Sequence, residues 1–153
     1  MGYQLENVFS LISDERPRIW RYSYSAGPVR SKFLFHLRDK QMIIGTKCPT
    51  CRMVYVPARS TCIKCYEDME EWVEISNEGT LETYTIVYEP QPIYHTDPPF
   101  AIGIIKLDGA DTGLVHRLRE VDYKKIHIGM RVKAVFEDQV KGDIRDIKYF
   151  EPI

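Results

Sequence analysis

The sequence predicts a mainly β protein with one N-terminal helix, a small four-cysteine metal ribbon and a closed barrel of five to six strands. Three observations predict this fold. The four cysteines fall into two closely spaced pairs, a helical pattern precedes them, and the segment after them consists of short strand-like runs separated by turn residues. A chain of 153 residues, 44% of them hydrophobic, is long enough for one small module and one domain.

The helical pattern extends from Pro28 to Asp39. Proline is well tolerated in the first turn of a helix, because its missing N–H would be unpaired there in any case. Val29, Phe33 and Leu37 recur four residues apart and therefore share one face. We expect this face to pack against the rest of the protein.

The segments on either side of the helix are short. Before it, in residues 1–24, Trp20, Tyr22 and Tyr24 alternate, which is typical of a short strand or of an extended arm lying on a partner. Packing of this segment on its own domain is the equal alternative. After the helix, residues 42–45 predict a short strand that leads into the cysteine-rich segment.

The cysteines are arranged as C-x2-C, ten residues, then C-x2-C, at Cys48, Cys51, Cys62 and Cys65. Two residues between thiolates allow a tight turn, or knuckle, to direct both sulfurs at one metal ion about 2.3 Å away. Two knuckles complete a rubredoxin-like tetrahedral site, for which structural zinc is favoured and iron is the alternative. Such a site has no open coordination position, so the metal is expected to stabilise the fold and not to activate water.

The remainder of the chain is predicted to be β structure. The expected strands are 72–76, 80–88, 100–107, 112–119, 131–137 and 144–150, with a turn at Asn77–Gly79. Five or six strands without a long helix among them fit an OB-fold barrel, whereas a β-sandwich would need about seven. The predicted units are an N-terminal arm, a helix with its lead-in strand, the zinc ribbon and the OB-fold, at 1–28, 29–46, 47–70 and 71–153.

The charges are divided sharply along the chain. The segment 47–66 carries four basic residues and no carboxylate, whereas 67–89 carries eight acidic residues and no Lys or Arg. This division indicates two surfaces that meet different partners, and two solvated faces are an equally good alternative. The formal net charge of -1 argues against a nucleic-acid-binding protein, which is usually basic.

No targeting or membrane segment is expected. Residues 1–13 lack the basic start and apolar centre of a secretory signal. The longest uninterrupted apolar stretch, 100–105, is far shorter than the roughly 20 residues of a transmembrane helix. We therefore expect a cytoplasmic protein.

A complete catalytic apparatus is not evident in the sequence, so whether the chain is itself an enzyme is left open. If all four cysteines bind metal, no thiol is free to act as a nucleophile. The histidines are His36, His95, His116 and His127. His95 lies near Asp97 in a proline-rich loop and is the one with a local acidic neighbour. His36 is expected to cap the helix, His116 to be half-buried with its hydrogen bonds satisfied, and His127 to face solvent.

Several ordered motifs resemble the zinc-ribbon/OB-fold proteins that accompany acyl-CoA thiolases. The resemblance covers 30–153. It rests on Phe-Leu-x-His-Leu-Arg, Ile-Gly-Thr-Lys-Cys-Pro-x-Cys, Tyr-x-Pro-x-Arg-x-x-Cys-x-x-Cys, Glu-Trp-Val-Glu, Pro-Pro-Phe-Ala and Leu-Asp-Gly-Ala-Asp-Thr. In such proteins a glycine often follows the second cysteine of each knuckle. Here Arg52 and Tyr66 stand in these positions, which weakens the turns slightly without removing a ligand.

The resemblance implies a non-catalytic zinc-binding subunit of a β-ketoacyl-CoA thiolase complex, of which a benzoylsuccinyl-CoA-type thiolase is one example. The implied partner is a thiolase-like catalytic subunit in a heterotetramer of two large and two small chains. Coenzyme A thioester would be the substrate of that complex. An accessory subunit of an acyl-CoA hydratase is an alternative within the same class.

Four cations of the ribbon are candidates for binding the phosphates of coenzyme A. They are Lys47, Arg52, Arg59 and Lys64. Cations on a rigid metal-bound ribbon lose little entropy when they bind a ligand. The alternative from another class is a single-strand nucleic-acid module with Tyr84, Tyr88 and Tyr149 as stacking platforms, which the acidic run from residue 67 opposes.

Overall fold

The computed structural model describes residues 25–89 and 97–153, so most of the predicted arm, and His95, lie outside the described residues. The helix is α1 (Gly27–Lys40), and the strands are β1 (Ile43–Lys47), β2 (Val54–Tyr55), β3 (Glu71–Ile75), β4 (Glu78–Val87), β5 (Phe100–Leu107), β6 (Gly113–Leu118), β7 (Arg131–Phe136) and β8 (Ile147–Pro152). A 3-10 turn, Ile144–Asp146, precedes β8. In the described part of the chain, no helix has the length and apolar character needed to span a membrane.

The predicted helix is confirmed and buries the expected face. Phe33 and Leu37 are fully buried and Val29 is partly buried against the core. The helix is capped at its C-terminus by Gln41, which has a left-handed backbone (φ 50°). This conformation lets the N–H groups of Gln41 and Met42 donate to the carbonyls of Leu37 and His36 in the last turn. Phe35, on the opposite face, is 50% exposed.

Strands β4 to β8 form the predicted barrel, which closes in the order β4-β5-β6-β8-β7. Alternate side chains of each strand point inward. The interior residues include Leu81, Ala101, Ile105, Leu114, Leu118, Val132, Ile147 and Phe150. The sandwich alternative is thereby excluded, and the five-stranded OB-fold barrel is confirmed.

Two local predictions within the barrel segment were wrong. Glu78 and Gly79 were expected in a turn but belong to β4, where Gly79 pairs with both Leu107 and Val132. Residues 144–146 were expected in a strand but form the 3-10 turn. The reason is local hydrogen bonding, because the Asp143 carboxylate accepts the Arg145 N–H at 2.6 Å.

The ribbon strands form a second sheet in the order β2-β1-β3. In this sheet β3 pairs with β1 along its whole length, from Ile43 opposite Ile75 to Lys47 opposite Glu71. The sheet therefore crosses the boundary expected between 47–70 and 71–153. Because β4 follows β3 after a two-residue turn, the ribbon and the barrel are joined through a continuous β structure.

His116 lies on the inner side of β6, half-buried, with an edge-on contact to the Phe150 ring. Its hydrogen bonding is sparse. Nε2 is 3.5 Å from the Ile144 carbonyl, and Nδ1 has no hydrogen-bond partner among the described residues. Burial lowers the pKa of His116 below its ordinary value of 6.5.

This histidine is expected to make the barrel sensitive to acid. The unfolded chain binds a proton at His116 before the folded protein does, so the unfolding free energy should fall as the pH falls below about 6.5. Urea unfolding of the wild type and of His116→Gln at pH 7.5 and 5.5 measures this. We expect the variant to lose less stability than the wild type between these pH values, and equal losses would contradict the prediction.

Candidate metal centre

Each C-x2-C pair forms a knuckle with the same backbone pattern. In the first, the Arg52 N–H donates to the Cys48 carbonyl at 3.0 Å, and in the second the Tyr66 N–H donates to the Cys62 carbonyl at 3.0 Å. Both Arg52 and Tyr66 adopt left-handed backbone conformations, with φ of 65° and 60°. The turn that favours glycine is thus kept with larger residues in both knuckles.

The two knuckles bring the four thiols together, as the spacing predicted. The sulfur atoms of Cys48, Cys51, Cys62 and Cys65 all lie within 4.8 Å of one another. Cys51 Sγ and Cys62 Sγ are 3.6 Å apart, close to the roughly 3.8 Å between two ligands of a tetrahedral zinc ion. The arrangement fits a four-thiolate structural zinc site.

Neighbouring hydrogen-bond donors favour the thiolate form of one of these ligands. The hydroxyl of the buried Tyr55 is 3.3 Å from Cys62 Sγ, and this contact lowers the pKa of the Cys62 thiol to about 6. The amide N–H groups of Lys64 and Cys65 also point at Cys62 Sγ, each at 3.4 Å. Anionic sulfur is the form that binds metal.

The pKa of the Cys65 thiol shifts in the opposite direction. The hydrogen bond with Cys51, together with burial, raises the pKa of the Cys65 thiol to about 12. Four thiolates this close repel one another, so without a cation some of them retain protons. A zinc ion at the centre would remove that repulsion and hold all four sulfurs as thiolates.

Replacing Tyr55 with phenylalanine should weaken zinc binding. The change removes the hydroxyl that contacts Cys62 Sγ but keeps the buried ring. Losing a group that hydrogen-bonds to a metal ligand typically lowers metal affinity by roughly 10- to 100-fold. Competition with a chromophoric chelator measures the affinity. Tyr84→Phe is the matched control, because it removes a hydroxyl that bonds to the Ile126 carbonyl and not to a metal ligand. Equal zinc affinities of the two variants would contradict the expectation.

The structure places the four candidate cations unequally. Lys47 Nζ is 3.0 Å from a Glu71 carboxylate oxygen, so its charge is already paired. Arg52 and Lys64 are exposed on the first and second knuckle. The backbone N–H and carbonyl of Arg59 both bond to the Thr46 hydroxyl, at 3.0 and 2.8 Å, so its exposed side chain projects from a fixed backbone.

One functional connection was missed by sequence analysis. The turn between β5 and β6 binds the edge strand β2, because the Asp111 carboxylate accepts the Val54 N–H at 2.8 Å. The Thr112 hydroxyl likewise bonds to the N–H and carbonyl of Val56. These contacts hold the ribbon against the barrel. The motif Asp-Gly-Ala-Asp-Thr signals only a turn, and its partner lies more than 50 residues earlier in the chain.

The remaining candidates are not gathered into a catalytic site in the described part of the chain. His36 Nδ1 bonds to the Lys32 carbonyl one turn earlier in α1, and His127 is exposed with Nδ1 near the Lys125 carbonyl. The Tyr84 ring packs against the core. Of the three tyrosines considered as stacking platforms, only Tyr88 is exposed.

Two family models match this chain. Residues 36–70 match the rubredoxin-like zinc ribbon domain of ChsH2, and residues 72–137 match the C-terminal OB-fold domain of ChsH2. Together they cover the four cysteines and most of the barrel. The matches agree with a zinc ribbon followed by an OB-fold.

Similar proteins are described as DUF35 domain-containing scaffold proteins. The protein of Methanocaldococcus jannaschii is 34% identical over 125 residues, which cover 77% of this chain and 86% of the relative. That of Pyrococcus furiosus is 29% identical over 105 residues, covering 69% of this chain and 76% of the relative.

Two solved structures have a similar fold. A DUF35-family protein of unknown function from Sulfolobus solfataricus is 28% identical with a TM-score of 0.60, over 88% of this chain and 92% of the other. A chain of the Ltp2-ChsH2(DUF35) aldolase is 22% identical with a TM-score of 0.58, over 84% of this chain and 98% of the other. The second likeness concerns the fold alone.

Proposed function

This chain belongs to the DUF35 family of zinc-ribbon and OB-fold proteins, and on that premise we propose that it is a non-catalytic subunit of a β-ketoacyl-CoA thiolase complex. It packs on a thiolase-like catalytic chain in the cytoplasm. The partner supplies the nucleophilic cysteine and its bases. This subunit shapes the substrate channel and contributes to the binding of the coenzyme A arm.

The observation that carries the proposal is the commitment of every cysteine of the chain to one metal centre. The chain has four cysteines, and all four sulfurs lie within 4.8 Å of one another. A thiolase needs a free thiolate nucleophile, so a second chain has to provide it. The description of the Methanocaldococcus jannaschii and Pyrococcus furiosus relatives as scaffold proteins supports a role in assembly.

Purification of the tagged protein from its native host tests the partner. We expect a thiolase-like chain to co-purify in a fixed ratio, two large and two small chains per complex, with one zinc per small subunit. Mass spectrometry identifies the partner, and metal analysis counts the zinc. A hydratase-like partner, recovery with nucleic acid, or recovery of the protein alone would each overturn the thiolase proposal.

In the coenzyme A role, Arg59 and Lys64 are the preferred phosphate ligands. Both are exposed and, unlike Lys47, neither takes part in an ion pair among the described residues. A pair of cations placed on a metal-bound ribbon attracts phosphate without a large ordering cost. Arg52, on the other knuckle, is the third candidate.

The double variant Arg59→Glu/Lys64→Glu should raise the KM of the complex for coenzyme A thioester by roughly tenfold or more, with a smaller change in kcat. Substrate-concentration series on the purified complex give both constants. Lys124→Glu, an exposed cation in the β6–β7 connection, is the control with the same type of charge change at one site. An unchanged KM in the double variant would exclude the phosphate role.

A further inference from the structure

The tip of the second knuckle exposes two large apolar side chains. Tyr66 is 83% exposed, the highest value of any large hydrophobic residue among those the structure describes, and Ile63 is 59% exposed. They flank Cys65 and Lys64 on the same tight turn. Single exposed apolar residues are ordinary on protein surfaces, whereas two of them, three positions apart, define the apolar patch of this turn.

Tyr66 combines an unfavourable backbone conformation with a side chain that is mostly in solvent. Its φ of 60° lies in the left-handed region, which disfavours a residue with a Cβ, and glycine would adopt it without strain. With most of its ring in solvent, burial inside the chain offsets little of that cost. The left-handed backbone itself belongs to the knuckle, because Arg52 adopts it in the first knuckle as well, so the unusual feature of Tyr66 is its large aromatic side chain held in solvent.

The knuckle also holds the patch rigidly. The Tyr66 N–H donates to the Cys62 carbonyl at 3.0 Å, and the Cys62 N–H donates to the Glu67 carbonyl at 2.9 Å. Cys62 and Cys65 on the same turn belong to the metal centre. The backbone of this turn is therefore ordered before binding, so little backbone entropy is lost when a partner covers its side chains.

One side of the patch is negatively charged, whereas Lys64 on the turn itself carries a positive charge. A pocket of about 370 Å³ opens beside Tyr66, and its wall carries four carboxylates against one ammonium group. The carboxylates are those of Glu67, Asp68, Glu70 and Glu71, and the ammonium is that of Lys47, which is paired with Glu71. An apolar centre with a charged rim is the usual composition of a protein–protein interface.

We propose that the side chains of Tyr66 and Ile63, with the acidic rim formed by the pocket beside Tyr66, are the docking anchor for a basic protein surface that has an apolar recess for the Tyr66 ring. The acidic rim favours a partner surface rich in Lys and Arg by charge complementarity. This inference rests on the proposed function in one respect, since the partner to be tested is the catalytic chain that co-purifies.

Site-specific photo-crosslinking tests the position of the interface. Benzoylphenylalanine is introduced at Tyr66 and, as a matched control, at the exposed Tyr88, and the complex purified from the native host is irradiated. We expect a cross-link from position 66 to a peptide rich in Lys and Arg, and none from position 88. A cross-link from position 88 alone, or from position 66 to an acidic peptide, would overturn the inference.

Substitutions test the energetic contribution of the patch. Tyr66→Asn keeps a residue that tolerates left-handed backbone, and together with Ile63→Ser it should weaken binding of the co-purified chain roughly 30-fold, as expected for a central aromatic contact. Val115→Ser, at a side chain that is 61% exposed on the outside of the barrel, should change affinity less than about twofold. The reverse ranking would overturn the inference.

A charge reversal tests the rim separately. Glu67→Lys/Glu70→Lys should lower the association rate roughly tenfold at low salt and flatten its salt dependence. One zinc per chain in each variant confirms that the ribbon is intact. An unchanged rate would overturn the inference.

The outcomes separate this inference from the proposed function. A cross-link from position 66 to a basic surface on a chain that is not a thiolase would support docking and overturn the thiolase proposal. A thiolase chain that cross-links only through other positions would support the thiolase proposal and overturn the docking inference. Recovery of the protein alone would overturn both.

Discussion

Replacing Cys62 with serine is expected to abolish zinc binding and to unfold the two knuckles of the ribbon while the barrel stays folded. Cys62 is buried and contacts Tyr55 and Cys51, so it lies at the centre of the metal site. Apparent zinc binding free energies in small four-ligand sites are about 10–16 kcal/mol, and a ribbon this small has few other sources of stability.

The division between ribbon and barrel follows from the two hydrophobic clusters. One contains Cys48, Tyr55, Cys62 and Met69 at the metal centre. The other joins α1, β1 and the barrel interior, and it also includes Val54, Val56 and Ala58 from the middle of the ribbon. Because the second cluster contains no metal ligand, it should survive the loss of zinc.

Metal analysis and amide hydrogen exchange measure this outcome. We expect zinc to fall from one per chain to none, and protection to be lost at the two knuckles, residues 48–53 and 60–69, while β5 and β6 keep theirs. Ser60→Ala, in the same loop but not a ligand, is the control. Retained zinc, or equal loss of protection throughout the chain, would contradict the prediction.

Phe150→Ala should destabilise the barrel by about 3–5 kcal/mol, the usual effect of truncating a fully buried phenylalanine. Phe150 has no exposed surface, lies on β8 opposite both Leu118 and Ala134, and contacts the His116 ring edge-on. Since β8 is the strand that joins β6 to β7, a cavity there weakens the closure of the barrel.

Urea unfolding at pH 7.5 measures the loss of stability. Ile153→Ala, an exposed position just after the same strand, should change stability by less than about 0.5 kcal/mol. A loss below about 1 kcal/mol for Phe150→Ala would show that the barrel can collapse into the cavity, contrary to the close packing described here.

The metal site was predictable from sequence because its geometry is local. The spacing of two residues between Cys48 and Cys51 predicts the first knuckle, and the same spacing between Cys62 and Cys65 predicts the second. The helix was predictable for a similar reason. Phe33 and Leu37 are four residues apart, about one helical turn, so they lie on one face, and this face is buried. Both depend on contacts between residues close in the chain.

One of the two failed predictions, and the unequal placement of the candidate cations, depend on partners distant in the chain. Gly79 looked like a turn residue, but a Cβ there would lie 2.8 Å from Leu107 Cα, so glycine is required by the close approach of β5. The candidate cations were equivalent by sequence. The pairing of β1 with β3 then placed Lys47 opposite Glu71, where its charge is compensated.

The sequence by itself therefore determined the metal ligands, the helix face and the β character of the barrel segment, because spacing and alternation are local properties. Tertiary structure alone decided that β3 joins the ribbon sheet, that Asp111 binds the edge of β2, and that the apolar tip of the second knuckle stands beside an acidic pocket. These arrangements come from strand pairing over long separations, where register is set by the fold as a whole.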